Sequence, residues 1–277
     1  MRRSLLLAVL ACAGLLLDPA PAPAESPPAA TRLRVLTWNV GTLDPRALRL
    51  PEAALPRVAD VIAGARPDVV LLQEVAPGQP QRLLAALRAR GLAYHSSACV
   101  VDPAAPDGLS LVLTRRAPQA RLRRRLPMGW GVQGVQLDGV SVLCLHAPSS
   151  GPAERARYFS QLSAWTDELP GPMVVAGDFN LGPRRGAGLA AVLPWLRRAD
   201  VATFARFRAG FQVASEVAPT TVYRLHLDHL LARGVRLEAA RRLTGRQLPQ
   251  DHDPVLCELA VYPARAGFGP ALSARQR

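Results

Sequence analysis

A chain of 277 residues is long enough for one large α/β domain and leaves little for a second. Its 49% hydrophobic residues can bury a sizeable core, whereas 5% aromatic residues are too few for an extended base-stacking platform. The formal charge of +13 rests entirely on arginine, since the sequence contains no lysine. Such a balance favours partners that carry phosphate or an anionic lipid surface, and a GC-rich genome produces the same arginine excess.

The chain begins as a leader. Met1-Arg2-Arg3 precedes an apolar stretch over 5–17 that is too short to span a bilayer comfortably, and Ala22-Pro23-Ala24 offers small residues at signal-peptidase spacing. The expectation is a signal peptide over 1–24, mature Glu25, a linker over 25–31, a folded domain over 32–263 and a tail over 264–277, hence export to the periplasm or beyond the cell. Two other readings stay open: Val9-Leu10-Ala11-Cys12 resembles a lipoprotein box that would lipidate Cys12, and Arg2-Arg3 resembles part of a twin-arginine signal.

Hydrophobic periodicity then predicts a strand at 33–40, a helix presenting Leu55, Val58 and Ile62, a strand at 68–73 and a helix near 81–90. Strands follow at 92–101, 109–114, 120–126, 132–137 and 140–146, close enough together for antiparallel pairing. Pro152 opens a helix carrying Tyr158, Leu162, Trp165 and Leu169, which Pro170-Gly171 ends before a strand at 173–176. A helix near 189–196 and strands at 222–231 and 254–262 complete the pattern. Many short strands with interspersed helices predict two packed sheets covered by helices. The mature chain keeps Cys99, Cys144 and Cys257, an odd number without zinc-site spacing, of which Cys144 and Cys257 read as buried thiols within strands.

Five short polar clusters stand out, four of which close or interrupt these apolar runs: Trp38-Asn39, Gln73-Glu74, Gly177-Asp178-Phe179-Asn180, Asp228-His229 and Asp251-His252-Asp253-Pro254. Carboxylates at strand ends are fixed in direction by the sheet and left open to substrate by the loops beyond, which suits a hard cation. His229 neighbours Asp228 on a strand and therefore points the other way, reading with His95 and His226 as structural. Trp38 reads as packing beneath the site, and Trp130, between two glycines, as a packed residue or a loop tip that meets substrate or membrane. Arg121, Arg123 and Arg125 share one strand face, serving either phosphate binding or a solvated edge, whereas Arg184 and Arg185 follow the Asp178 cluster and are better candidates for substrate phosphate.

In this order, each with its neighbouring strand, the clusters resemble the endonuclease/exonuclease/phosphatase superfamily, in its deoxyribonuclease I-like form, over nearly the whole mature chain. The resemblance implies a four-layer α/β/β/α sandwich of two mostly antiparallel sheets flanked by helices. It implies metal binding by Glu74 and Asn39, with Asp251 approaching the same ion, and places Asp178 and Asn180 around the attacking water and the phosphate. His252 would contact the scissile phosphate, Asp228 would orient it, and His146 in Leu145-His146-Ala147-Pro148 resembles a second active-site histidine. The sequence departs from specialised branches: Gln250 stands where a serine often precedes the final Asp-His, Val75 follows Glu74, and no Pro-x-Trp-x-Asp-Arg segment occurs.

The function expected is that of a secreted, metal-dependent phosphoesterase hydrolysing phosphodiester bonds, a nuclease on the lean of its basic charge and His146. The alternatives are a phospholipase C-like sphingomyelinase or phosphomonoesterase, and a non-catalytic anion-binding module. The cofactor expected is Mg2+, with Mn2+ or Ca2+ as alternatives. The partners expected are a phosphate-ester substrate such as nucleic acid and a membrane surface, for a monomeric protein.

Overall fold

The computed structural model describes residues 30–41, 50–101, 108–182, 193–243 and 250–262. In chain order these form β1 (Thr31–Asn39), α1 (Leu55–Ala65), β2 (Val69–Val75), α2 (Gln79–Arg88), β3 (His95–Val100), β4 (Leu109–Thr114), β5 (Ala120–Arg125), β6 (Gly131–Leu137) and β7 (Val140–His146). Then come α3 (Pro152–Glu168), β8 (Met173–Asp178), α4 (Pro194–Arg208), β9 (Val213–Ala214), β10 (Asp228–Arg233), β11 (Arg236–Arg242) and β12 (Val255–Val261). The first sheet has the order β11-β12-β1-β2-β4-β3 and the second β5-β6-β7-β8-β10-β9.

Strand parity sorts the side chains into three apolar layers. In β1, Leu33 and Val35 enter the layer between the sheets, while Leu36 and Trp38 join Val58, Ile62, Leu83 and Leu87 beneath α1 and α2. In β7 and β8, Val142, Cys144, Val174 and Ala176 face the first sheet, while Leu143, Leu145 and Val175 pack with Tyr158, Leu162 and Phe207 of α3 and α4. The architecture is therefore the four-layer α/β/β/α sandwich. Each buried Val or Leu contributes about 1.5–3 kcal/mol, so a one-residue slip that reversed a strand's faces would forfeit several such terms together.

Two strand pairs are parallel, β1 with β2 and β7 with β8. Each is joined by the crossover helix that parallel strands require, α1 in one case and α3 in the other. The carboxyl ends of β1, β2, β7 and β8 consequently meet at one rim of the sandwich, where an α/β sheet offers its ligand site. The inward parity of Leu33, Val35, Val142, Cys144, Val174, Ala176 and Leu230 continues at that rim into Asn39, His146, Asp178 and Asp228.

Several sequence expectations are corrected. Strands 92–146 are not one antiparallel series, because the chain leaves the first sheet after β4 and enters the second at β5. The helix expected near 189–196 falls mostly outside the described residues, and the helix observed there is α4, starting at Pro194. Its buried face contains Asp200 and Thr203 beside Phe204 and Phe207, so its apolar periodicity is weak. Of the strand expected at 222–231 only the part from Asp228 forms. The preceding residues are a turn in which Thr220 N donates to Leu225 O at 2.8 Å and Arg224 N to Thr221 O at 3.0 Å. The edge strands β9 and β11 were not anticipated; β11 has helix-forming Leu, Glu, Ala and Arg but is held extended by β12.

The arginine row on β5 closes an open side of the sandwich. Arg121 and Arg123 donate to the edge carbonyls of β3, Ser96 O at 3.3 Å and Ala98 O at 2.7 Å. Charged side chains at an edge also discourage pairing with a foreign strand.

Close approach of β7 and β8 depends on Gly177, whose φ is +148° and whose added Cβ would fall 1.9 Å from Leu145 O. Both obstacles involve backbone, so neither is relieved by a rotamer change. Gly177→Ala is expected to lower the free energy of unfolding by about 3 kcal/mol or more, read from urea denaturation midpoints.

Candidate active site

Asp178 ends β8 level with two partners. Its register neighbour on β7 is His146 and on β10 is Asp228. Asp178 Oδ1 accepts from Asn180 N at 2.8 Å, an arrangement helped by the left-handed backbone of Asn180 at φ 47°. Asp178 Oδ2 accepts from Asn39 Nδ2 at 3.0 Å and Asn180 Nδ2 at 3.4 Å. His146 Nε2 lies 3.8 Å and His252 Nε2 3.9 Å from the same oxygen. Two amides and two imidazoles thus converge on one carboxylate oxygen, which is oriented before any substrate arrives.

Glu74 reaches the rim by a local break in β2. The register with β4 shifts between Leu72 and Val75, and Glu74 itself has φ 58°. A bulge of this kind re-aims a side chain, and a left-handed non-glycine residue costs of order 1–3 kcal/mol unless its surroundings hold it. Asn39 Nδ2 supplies such a hold by donating to Glu74 Oε1 at 2.8 Å, with His146 Nε2 at 3.6 Å from the same oxygen. Glu74 Oε2 occupies space that only a glycine at position 41 leaves, since a Cβ there would be 1.7 Å away. The Gly41 N–H in turn binds Asn39 Oδ1 at 2.9 Å. The Glu74 side chain keeps 26% exposure at the mouth of this cluster.

His252 is held on three sides. Its Nδ1 lies 2.8 Å from Asp228 Oδ2, its carbonyl accepts from Trp38 Nε1 at 2.9 Å, and its backbone bridges to Thr221. Trp38 therefore packs beneath the site and also anchors it. Thr220 Oγ1 accepts from the N–H groups of Leu227 and Asp228 at 3.1 and 3.2 Å, fixing the start of β10. Asp251 is half-buried just ahead of His252, and its carbonyl accepts from Val222 N at 2.8 Å.

The electrostatics follow from this crowding. Burial opposes the imidazolium of His252, but Asp228, Asp178 and the hydrogen bond to Asp228 outweigh it and raise the pKa to about 10. Burial likewise raises Asp228, against the pull of His252, so the pair keeps its proton well above neutral pH. Glu74 is raised by burial, opposed by His146 and the Asn39 hydrogen bond. Asp251 is raised by burial, with His252 opposing and Asp178 adding to it. One ligand atom each from Asp178, Asp228 and His252 lies within 4.8 Å of the others.

The structure thus gathers Asn39, Glu74, His146, Asp178, Asn180, Asp228 and His252 at one rim, with Asp251 beside them. Arg184 and Arg185 lie outside the described residues, as do the leader and Cys12. His229 turns to the opposite face, where Nε2 contacts Leu181 O at 3.0 Å and the ring packs on Phe204 and His226. Trp130 is buried, pairing edge-on with Tyr158 and donating to Glu154 Oε1 at 3.2 Å. Sequence reasoning overlooked Gly41 and Thr220, and also Val222 and Tyr223, each 59% exposed on the turn that bridges His252. The only trace of Gly41 was a small residue two places after Asn39.

Comparison with known proteins agrees with this fold. The sequence pattern of the endonuclease/exonuclease/phosphatase family matches residues 36–252. An endonuclease/exonuclease/phosphatase from Beutenbergia cavernae superposes with TM-score 0.62 at 23% identity, covering 84% of this chain and 72% of that one. An AP endonuclease from Archaeoglobus fulgidus gives TM-score 0.60 at 14% identity, covering 81% and 98%. TDP2 of D. rerio, in complex with a single-strand DNA product, gives 0.59 at 18%, covering 83% and 99%. No curated protein matches the chain in sequence. With the pattern spanning every cluster from β1 to His252, the chain belongs to the endonuclease/exonuclease/phosphatase family.

Proposed function

We propose that this protein is an exported, divalent-metal-dependent phosphoesterase that hydrolyses phosphodiester bonds, with nucleic acid as its leading substrate class. The observation that carries this reading is the convergence of Asn39, Asn180, His146 and His252 on Asp178 Oδ2 beside the partly buried carboxylate of Glu74. The DNA-bound TDP2 relative and the AP endonuclease relative support the nucleic-acid choice. Export rests on the charged start and hydrophobic middle of residues 1–24.

The donor set fits a hard cation such as Mg2+, which takes one or two carboxylates and keeps several waters. Glu74 and Asp251 would hold it. Asn39 Oδ1 is taken by Gly41 and its Nδ2 spans Glu74 and Asp178, so in this reading Asn39 keeps the carboxylates in place. When bound, the cation neutralises charge on a phosphoryl or leaving oxygen. Asp178 accepts the proton of the attacking water, whose oxygen bonds to phosphorus as the ester bond opposite breaks. His252, protonated and tied through Nδ1 to Asp228, presents Nε2–H to the phosphoryl oxygen as negative charge develops there. Asn180 holds Asp178 through both of its oxygens.

A second reading draws on Val222 and Tyr223, which place exposed apolar surface next to His252. That tip would suit the apolar part of a lipid phosphodiester, as in a phospholipase C-like enzyme.

Turnover of plasmid DNA, RNA, sphingomyelin and inositol phosphates, measured with Mg2+ and with chelator, separates the readings. Nucleic-acid cleavage is expected, abolished by chelator and lowered about 1,000-fold in Asp178→Ala. Turnover that survives both changes refutes the mechanism, and turnover of none of the four favours the anion-binding module. Gly41→Ala is expected to displace Glu74 and weaken Mg2+-dependent activity by about 10–100-fold, read as a rise in the Mg2+ concentration for half-maximal rate.

The His252 shift gives a pH test in metal-free protein. A histidine raised from 6.5 to about 10 contributes stability that is complete below 6.5 and lost as pH rises through 10. Asp228→Asn removes the main raising charge while Asp178 and Asp251 remain, so the His252 imidazole is expected to titrate at lower pH by NMR, and the alkaline loss of stability due to His252 should shrink and move to lower pH.

A further inference from the structure

A buried arginine stands behind the catalytic rim. Arg155, in the first turn of α3, is 2% exposed, and its partner Asp200 on α4 is fully buried. The pair is bidentate, with Nε to Asp200 Oδ1 and Nη2 to Asp200 Oδ2 both at 2.9 Å. The remaining nitrogen, Nη1, donates to the carbonyl of Ser149 at 3.2 Å, to that of Pro148 at 3.5 Å, and to that of Ser150. Three consecutive carbonyls therefore point at one guanidinium. Glu154, the residue before Arg155, accepts from the Ser150 hydroxyl and from Trp130 Nε1, which pins the far end of the same loop.

That loop leads directly out of the site. Residues 147–150 follow His146 without a break, and Ala147 N donates to Asp178 O at 2.9 Å. Ala147 O accepts from Asn180 Nδ2 at 2.9 Å, the same amide that reaches Asp178 Oδ2. A continuous set of hydrogen bonds thus runs from Asp200 through Arg155 and the loop to Asn180 and Asp178, with His146 at its end. A buried ion pair is seldom the most stable filling for a core, because the desolvation of both charges offsets their attraction. Its five directed N–H donors, by contrast, define one loop geometry that a hydrophobic pair would not.

We propose that Arg155, backed by Asp200, is a positioning residue for phosphoester hydrolysis: it fixes loop 147–150 and so keeps His146 and Asn180 in register around Asp178. The proposal rests on the reading of the Asp178 cluster as the phosphoesterase centre. It assigns Arg155 no contact with substrate. Small displacements of catalytic groups are costly, about 100-fold in rate for roughly 1 Å, so loss of the guanidinium should act on turnover rather than on substrate affinity.

The test compares wild type, Arg155→Ala, Arg155→Lys and Asp200→Asn on the best substrate, with thermal melting and circular dichroism to establish folding. Folded Arg155→Ala is expected to lose about 10–100-fold in kcat with KM within about twofold. Millimolar guanidinium, entering beside the exposed Ser149 and Ser150 whose carbonyls bind the native guanidinium, should restore at least several-fold of that loss. Guanidinium should leave the residual rate of Asp178→Ala unchanged. Wild-type kcat in folded Arg155→Ala, or a loss that guanidinium does not relieve, overturns the proposal. If Arg155→Ala does not fold, Arg155→Lys and Asp200→Asn decide: a kcat defect at unchanged KM supports it, and full kcat overturns it. If wild type turns over no substrate, the functional reading fails by itself. NMR signals of His146 and the Asn180 side-chain amide then decide the positioning, unchanged signals in the folded variants overturning it.

Discussion

Asp178 is level with His146 on one neighbouring strand and with Asp228 on the other, and these two pairings are properties of backbone register. Side chains alternate along a strand, so the face that buries Val174 and Ala176 between the sheets is the face on which Asp178 emerges. His146 continues the row of Val142 and Cys144, and Asp228 the row of Leu230 and Ala232. The polar centre is thus the last step of an apolar stack. A slip that would separate Asp178 from its partners would also turn the inter-sheet residues outward, so hydrophobic burial protects the geometry of the cluster at no cost in additional contacts.

Parallel pairing contributes the second half of this arrangement. Because β1 and β2 run together, as do β7 and β8, four carboxyl ends come to one rim and supply Asn39, Glu74, His146 and Asp178. The antiparallel strand β10 adds Asp228 from its amino end, and His252 enters from the segment before β12. The site draws on both sheets, so it exists only when the inter-sheet layer has formed. Glu74 is the exception to strand regularity: without the bulge after Leu72 it would follow the alternation of its strand, and the clamp of Asn39 with the gap at Gly41 holds its altered direction.

Legibility in the sequence follows the range of the forces involved. β4 and β7 were readable to the residue because an apolar run with sharp breakers defines each strand locally. The polar clusters were readable as strand ends for the same reason. The part of α4 beyond Leu196 was not anticipated, because Asp200, which looks like a solvent-facing charge, is buried by an arginine 45 positions earlier. The segment before β10 was taken for strand because Thr, Val and Tyr have strand propensity, yet its hydrogen bonds close a turn around Thr220 and Thr221. Gly41 left no more than the trace of a small residue after Asn39, since its importance lies in an atom of Glu74 that enters the space a side chain would fill.

Several of the arginines behind the net charge have structural partners within the fold. Arg121 and Arg123 are spent on the exposed edge of β3, Arg155 on a buried carboxylate and a loop, and Arg233 on the carbonyls of Thr166 and Leu169. Arg242 holds Pro219 O near the site, and Arg124 meets Glu168 on α3. Each of these guanidiniums supplies fork-shaped donors to backbone or carboxylate oxygens, a structural task in which lysine is a poor substitute. In a chain whose every basic residue is arginine, part of the positive charge thus works as internal scaffolding. At the rim itself the charged group is the His252 imidazolium, whose pKa is raised to about 10 despite burial because Asp228 and Asp178 stand beside it.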